Sequence, residues 1–217
     1  HPPTSPRSVD AVNGRGESAL DAALFHSTSS AVQLLLRHGA TSLVTTAAGG
    51  SLLHSAAESL RPEVLELALA ALNAIRLDLN QPDTEGRTPL HIAVATGKSD
   101  LVSPLLRMRA NVDAVADDGN APLHISVRRG DVPISTLLLK AGANKDAVSA
   151  EGAPLLVLAA EVGVGIALAL LQAGADPNKA DLDGRYPLEV AVGRSDVQLA
   201  EEILTRGGHP TKRQVGD

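Results

Sequence analysis

The sequence predicts an all-α fold, a solenoid of stacked helix-turn-helix units with short β-hairpin tips. Three observations predict it. Turn glycines recur with one period: Gly86, Gly119 and Gly152 are 33 residues apart, Gly184 follows after 32, and Gly97, Gly130 and Gly163 keep the same 33-residue step. Between these marks, apolar residues fall at helical spacing twice in each period. Finally, the aromatic fraction is only 1%, Phe25 and Tyr186 being the two rings. A single thick core of this length normally buries several aromatic side chains. Here Ala, Leu and Val must do the packing, which suits thin layers of closely approaching helices.

The most legible unit runs from residue 83 to 113, DTEGRTPLHIAVATGKSDLVSPLLRMRANVD. DTEG is a turn signal whose glycine is free to take positive φ. Thr88-Pro89 opens a helix, with proline in the first turn, where its missing N–H costs nothing. Leu90, Ala93 and Val94 then share one helical face. After Gly97, Leu101, Val102, Leu105 and Leu106 form a second stripe. Neither short helix buries its stripe alone, so neighbouring units must stack.

Taken in order, residues 1–12 are a polar leader expected to be flexible. A chain beginning with His rather than Met is expected to be part of something longer. Repeats follow at about 13–43, 44–80, 81–113, 114–146, 147–179 and 180–210, with a tail at 211–217. The second repeat is long: Leu53 to Leu90 spans 37 residues, and the surplus falls in VLELALAALNAIRL, predicting a longer outer helix. The fifth is one residue short, a deficit assigned to its second helix. In the sixth, DVQLAEEILTR turns Gln198, Glu201 and Glu202 outward, as a terminal cap facing water would. Leu155 to Leu171, LLVLAAEVGVGIALALL, approaches the length of a membrane span. Glu161 near its centre and the breaks at Gly163 and Gly165 predict instead two short buried helices turned at Gly163.

Thr88-Pro89-Leu90-His91-Ile92-Ala93, repeated at this period, resembles the TPLH-x-A signature of the ankyrin repeat. Ala121-Pro122-Leu123-His124-Ile125-Ser126 keeps Pro, Leu and His, and Ser51-Leu52-Leu53-His54-Ser55-Ala56 keeps His and Ala. Tyr186-Pro187-Leu188-Glu189-Val190-Ala191 has lost the His, Ser18-Ala19-Leu20-Asp21-Ala22-Ala23 is weaker, and Ala153-Pro154-Leu155-Leu156-Val157-Leu158 is ambiguous by one residue. The resemblance covers roughly residues 13–210. It implies that His54, His91 and His124, which share one repeat position, hydrogen-bond backbone near the turns and hold adjacent hairpins together. It also implies a concave face, built from hairpin tips and inner helices, that grips a partner.

Chemistry other than binding has little support in the residues. A net charge of -6 argues against a general nucleic-acid binder, which carries a strong basic footprint. With no cysteine, thiolate catalysis and Cys-ligated metals are excluded. His26 and His38 show no ligand spacing, and no HExxH or Ser-His-Asp arrangement has local motif support. Gly163-Val164-Gly165 and Gly49-Gly50 lack the spacing or the Lys-Ser/Thr of a phosphate loop. No catalytic residue, cofactor or metal is therefore expected.

A binding surface remains. Its tips are carried onto Thr84, Glu85 and Arg87, then Asp117, Asp118 and Asn120, then Ala150, Glu151 and Ala153, then Leu182, Asp183 and Arg185. Its floor carries Arg128, Arg129, Glu161 and Arg194, with the rare aromatic Phe25 at the first repeat. Arginine and aromatic residues are frequent interface anchors, and a guanidinium presents a fork of donors to a carboxylate. Arg128 and Arg129 either pair with carboxylates of a partner or offset Asp117 and Asp118 along a solvated face. Phe25 either meets the partner or closes the end of the stack beneath the leader. The expected function is a non-catalytic protein-protein interaction module. The alternative is a regulatory domain of a larger enzyme or channel, contacting its own chain. The expected partner is another protein or a peptide segment, with no nucleic acid and no membrane insertion. The domain is expected to be a monomer in the cytoplasm or nucleus.

Overall fold

The protein is described by a computed structural model at residues 9–13, 18–26, 29–40, 50–75 and 78–209. It divides into two units, residues 1–117 and 118–217. In the first, helices α1 (Ala19–His26), α2 (Ser29–Arg37), α3 (Leu52–Glu58), α4 (Pro62–Ile75), α5 (Pro89–Thr96) and α6 (Ser99–Arg107) form three antiparallel pairs. The first helices pack in the order α1, α3, α5 and the second helices in the order α2, α4, α6. The second unit repeats this plan with α7 (Pro122–Arg128), α8 (Val132–Lys140), α9 (Leu155–Val162), α10 (Val164–Gln172), α11 (Pro187–Gly193) and α12 (Val197–Thr205). There α7, α9 and α11 form one row and α8, α10 and α12 the other.

The third repeat shows why these residues make this unit. Thr88 is extended at the N-cap, Pro89 holds the first turn, and Gly97 stops α5 in the left-handed region at φ 74°. Thr88 N–H donates to His91 Nδ1 at 3.0 Å, so the side chain satisfies a donor that the helix leaves open. The tip glycine is needed for a second reason. A Cβ on Gly86, already at φ 72°, would stand 2.7 Å from the backbone nitrogen of Asp117 in the next tip.

Cores of the two units are aliphatic and thin. Leu20, Leu52, Leu53, Leu65, Leu90, Leu101 and Leu105 are the largest fully buried side chains of the first; Leu123, Ile134, Leu138 and Leu155 play that part in the second. Buried alanines such as Ala56, Ala93 and Ala159 let neighbouring helices approach closely.

Several expectations from sequence are met locally. Helix α4 is 14 residues long, against 9 for each of α2, α6, α8, α10 and α12. Leu155 to Leu171 is two helices, with Gly163 alone between α9 and α10. No helix among the described residues is long and apolar enough to cross a membrane. Gln198 and Glu201 of α12 are exposed and Glu202 is half-buried against Arg206.

Other details differ. The one-residue deficit of the fifth repeat lies in the break between helices rather than in the second helix. Three residues separate α7 from α8, whereas Gly163 alone, in extended backbone, joins α9 to α10, and α10 keeps its 9 residues. Pro154 sits at the N-cap, so Val157 takes the repeat position of His124 and is fully buried. The tips are tighter than ladders. Two backbone bonds close each of three tips. Asp83 N–H donates to the Arg87 carbonyl at 2.8 Å, Ser149 to Ala153 at 2.9 Å and Asp181 to Arg185 at 3.1 Å. The glycine N–H donates back, Gly86 to Asp83 at 3.1 Å, Gly152 to Ser149 at 2.9 Å and Gly184 to Asp181 at 3.0 Å. Isolated bridges at Val12–Ser18 and Val148–Pro154 are the β pairing among the described residues.

Candidate functional site

Two of the tips are built around an aspartate that is not among the predicted site residues. In the first unit, Asp83 is the hub. Its Oδ1 accepts from the N–H groups of Glu85 (2.9 Å) and Arg87 (2.8 Å), and its Oδ2 from the Arg87 guanidinium at 2.9 Å. Burial alone would raise its pKa. The Arg87 N–H, its guanidinium and the Glu85 N–H outweigh burial, so the carboxyl sits below the usual aspartate range. Asp181 repeats the arrangement in the second unit, accepting from Asp183 N–H at 3.0 Å, Arg185 N–H at 2.9 Å and Arg185 Nε at 2.8 Å. The pattern Asp-x-x-Gly-Arg, present at both tips and absent from those between, is the signal that would have found them.

A depressed carboxyl pKa stabilises the fold above the unfolded value and ceases to do so as pH falls through the lower folded value. Asp83→Asn is therefore expected to cost about 1–3 kcal/mol near neutral pH, the cost of leaving buried donors poorly matched. The gap from wild type should narrow below about pH 4. Urea unfolding of both proteins at neutral and acid pH checks this.

The structure uses the predicted site residues unequally. In the first unit, Thr84 and Glu85 are exposed, Arg87 is locked to Asp83 and Glu85, and the exposed Asp117 donates its N–H to the Glu85 carbonyl at 3.0 Å. Arg87 also offers its carbonyl to His54 Nε2 at 2.8 Å, which ties the second repeat to the tip of the third. In the second unit, Asp118 is exposed and accepts from Asn120 N–H at 2.9 Å, while Asn120 is buried and thus inside the tip rather than on it. Arg128 reaches Glu151 of the following tip at 2.7 Å, and Arg185 joins Asp181 to Glu161, both at 2.8 Å. Arg129, Arg194 and the Asp183 carboxylate are exposed and have no ion-pair partner among the described residues. Phe25 lies in α1, and its side chain falls outside the described residues.

Two adjoining clefts lie between the fifth and sixth repeats. One, of about 420 Å³, is walled by Arg128, Glu151, Leu158, Leu182 and Asp183; the other, of about 330 Å³, by Glu161, Glu189, Val190, Gly193 and Arg194. Arg185 lines both. Leu182 at the rim is 82% exposed, an unusual setting for a leucine, and Ala153 lies below it. Glu189 replaces the family histidine and accepts from Tyr186 N–H at 3.1 Å, capping α11 by other means. The described residues hold no group of three or more side chains able to share a metal ion.

Short helix pairs laid layer on layer, with polar tips above an inner helical row, define a helical repeat protein, a class that binds along its inner surface. The family profile for ankyrin repeats, in three copies, matches residues 53–149. The ankyrin repeat domain of Bcl-3, described as a unique member of the IkappaB protein family, superposes with a TM-score of 0.82 and 30% identity. That match covers 92% of this chain and 86% of the other. The chain belongs to the ankyrin repeat family. Over 109 residues, half of this chain, it is 33% identical to the B-cell lymphoma 3 protein homolog of Mus musculus, and over 103 residues 32% identical to inversin of Homo sapiens. These matches span only 24% and 10% of those relatives.

Proposed function

We propose that this chain is a non-catalytic protein-interaction module whose partner lies on the tips and inner helices, reaching into the clefts between the fifth and sixth repeats. The pair of clefts sharing Arg185 carries this reading, because it joins an exposed apolar rim to a dense set of oriented charges. Leu182 supplies area that gains by leaving water. Asp181, Glu161 and Glu151 hold Arg185 and Arg128 in fixed positions, so less side-chain freedom is lost when a partner arrives. Arg128 is then a groove wall rather than a free anchor. The expected setting is cytoplasmic or nuclear, with the module acting as a monomer.

Capture of partners from native lysate by the wild-type chain, compared with two variants, tests the reading. Leu182→Asp is expected to reduce recovery of the specific partner by roughly fivefold or more, as for a rim anchor. Val197→Asp, at the likewise exposed start of α12, is expected to leave recovery unchanged. The reverse pattern would move the interface to the outer helices.

A further inference from the structure

The inner face of the second unit separates its charges by edge. Along the tips, Asp118 and Asp183 are exposed carboxylates, and Glu151 joins them already bound to Arg128. Along the opposite edge run the ends of the first helices and the breaks that follow them, at Arg129-Gly130, Val162-Gly163 and Gly193-Arg194. These breaks are neighbours. A Cβ built on Gly130 would come within 3.2 Å of Val162 Cγ1, and Gly193 and Arg194 line the cleft that also holds Glu161.

Arg128 and Arg129 are adjacent in sequence, yet only Arg128 is paired. The acidic groups nearest this edge are already engaged. Asp131 and Asp196 turn back to cap α8 and α12, accepting from Ile134 and Leu199 N–H at 3.0 Å each. Glu161 is held by Arg185, and Glu189 caps α11. Two exposed guanidinium groups are thus left facing solvent, with the 40%-exposed side chain of Val162 between them.

We propose that this edge is a docking track for an extended acidic segment of a partner protein. Arg129 and Arg194 each take one carboxylate, and an apolar side chain of the segment lies over Val162. The proposal rests on the interaction reading above and specifies the partner's chemistry. Spacing follows from packing. Arg129 and Arg194 are two layers apart, roughly 16–20 Å at 8–10 Å per helix layer. An extended chain rises about 3.3 Å per residue, so the two acidic residues stand about five or six positions apart. A nucleic-acid strand fits poorly, because two cations are few for a polyanion and the carboxylate-lined tip edge lies across the same face.

Selection of a displayed library of short random peptides on the full chain, followed by anisotropy titration of the enriched peptides, tests the proposal. Enriched sequences are expected to carry two acidic residues at that spacing with an apolar residue between. Arg129→Gln with Arg194→Gln is expected to weaken them roughly tenfold or more, since both charge-assisted contacts are lost together. Lys140→Gln, at an exposed cation ending α8 and outside both clefts, should stay within about twofold of wild type, and added salt should weaken binding. A thermal melt of the double variant separates this from damage to the fold. If the arginines only complement the ends of α7 and α11, the melt falls and affinity holds, which overturns the proposal. So does enrichment of nothing, or of peptides without acidic residues, or displacement by a single-stranded oligonucleotide as efficient as by the acidic peptide. Peptides that survive the double substitution but are lost on Leu182→Asp overturn the acidic track and leave the broader interaction reading standing.

Discussion

Leu90→Ala and Leu123→Ala are each expected to destabilise the protein by about 2–5 kcal/mol, the range for emptying a buried leucine site. Both side chains are 1% exposed. Leu90 lies in α5, packed on α3 and α6; Leu123 lies in α7, packed on α8 and α9. The losses should sit toward the upper part of that range. Neighbouring side chains are aliphatic and many are alanine, so few groups are able to swing into the space and partly refill it. In a repeat array the cost falls on the layer itself and on its contacts with adjacent layers. Urea unfolding checks the prediction, with Leu182→Ala as control. That leucine is 82% exposed, and its loss should alter stability by no more than about 0.5 kcal/mol. Unchanged midpoints for both core variants would mean that the apolar register is wrong.

The register itself was readable because three local requirements repeat together. A left-handed turn residue at Gly86, a helix start at Thr88-Pro89 and a stop at Gly97 each constrain residue type strongly, and each returns after 33 residues. Where a requirement was met by an untypical residue, legibility failed. Leu60 and Arg109 take positive φ, at 58° and 63°, in places where sibling repeats use glycine. Packing of the surrounding helices overrides their local preference, which no composition rule reveals. The deficit in the fifth repeat was misplaced for a related reason. LLVLAAEVGVGIALALL is apolar throughout, so its pattern does not mark which residue left the helix and which left the break.

The candidate site was less legible, because its properties depend on pairing across repeats. Arg128 and Arg129 look equivalent in a sequence. They differ because α7 ends at Arg128, which turns toward Glu151 in the next tip, whereas Arg129 caps the helix and points elsewhere. Arg87 and Arg185 read as exposed tip residues, yet each is clamped by an aspartate four positions earlier. Asn120 reads as a tip residue and is buried. Arg129, Arg194 and the Asp117 and Asp183 carboxylates make no ion pair among the described residues, a subset that only the ion-pair geometry selects.

The two histidines His54 and His124 hold the same repeat position but are expected to differ on replacement by alanine. His54 Nδ1 accepts from Ser51 N–H at 2.9 Å, so Nε2 carries the hydrogen and donates to the Arg87 carbonyl at 2.8 Å. Truncation strands both backbone groups and opens a cavity, a loss of about 2–4 kcal/mol. His124 Nδ1 accepts from Ala121 N–H at 3.1 Å. Its buried Nε2 makes no hydrogen bond of proper geometry, although the Val148 backbone lies near enough to favour the protonated ring. His124 already bears the cost of an unsatisfied group, so His124→Ala should lose less, about 1–2 kcal/mol. Acid adds a second test. Burial, first of all, holds both rings below the ordinary histidine pKa. The Arg87 carbonyl and the Asp83 charge oppose that at His54, where the Arg87 charge adds to it, and the Arg128 charge reinforces it at His124. The unfolded chain therefore takes up protons near pH 6.5 while the fold resists, and stability drops as pH falls from about 6.5 toward the lower folded values. His124→Gln should flatten part of that fall in urea midpoints measured on either side of it. Equal losses for the two alanine variants would mean that the bond from His54 to Arg87 adds nothing to stability.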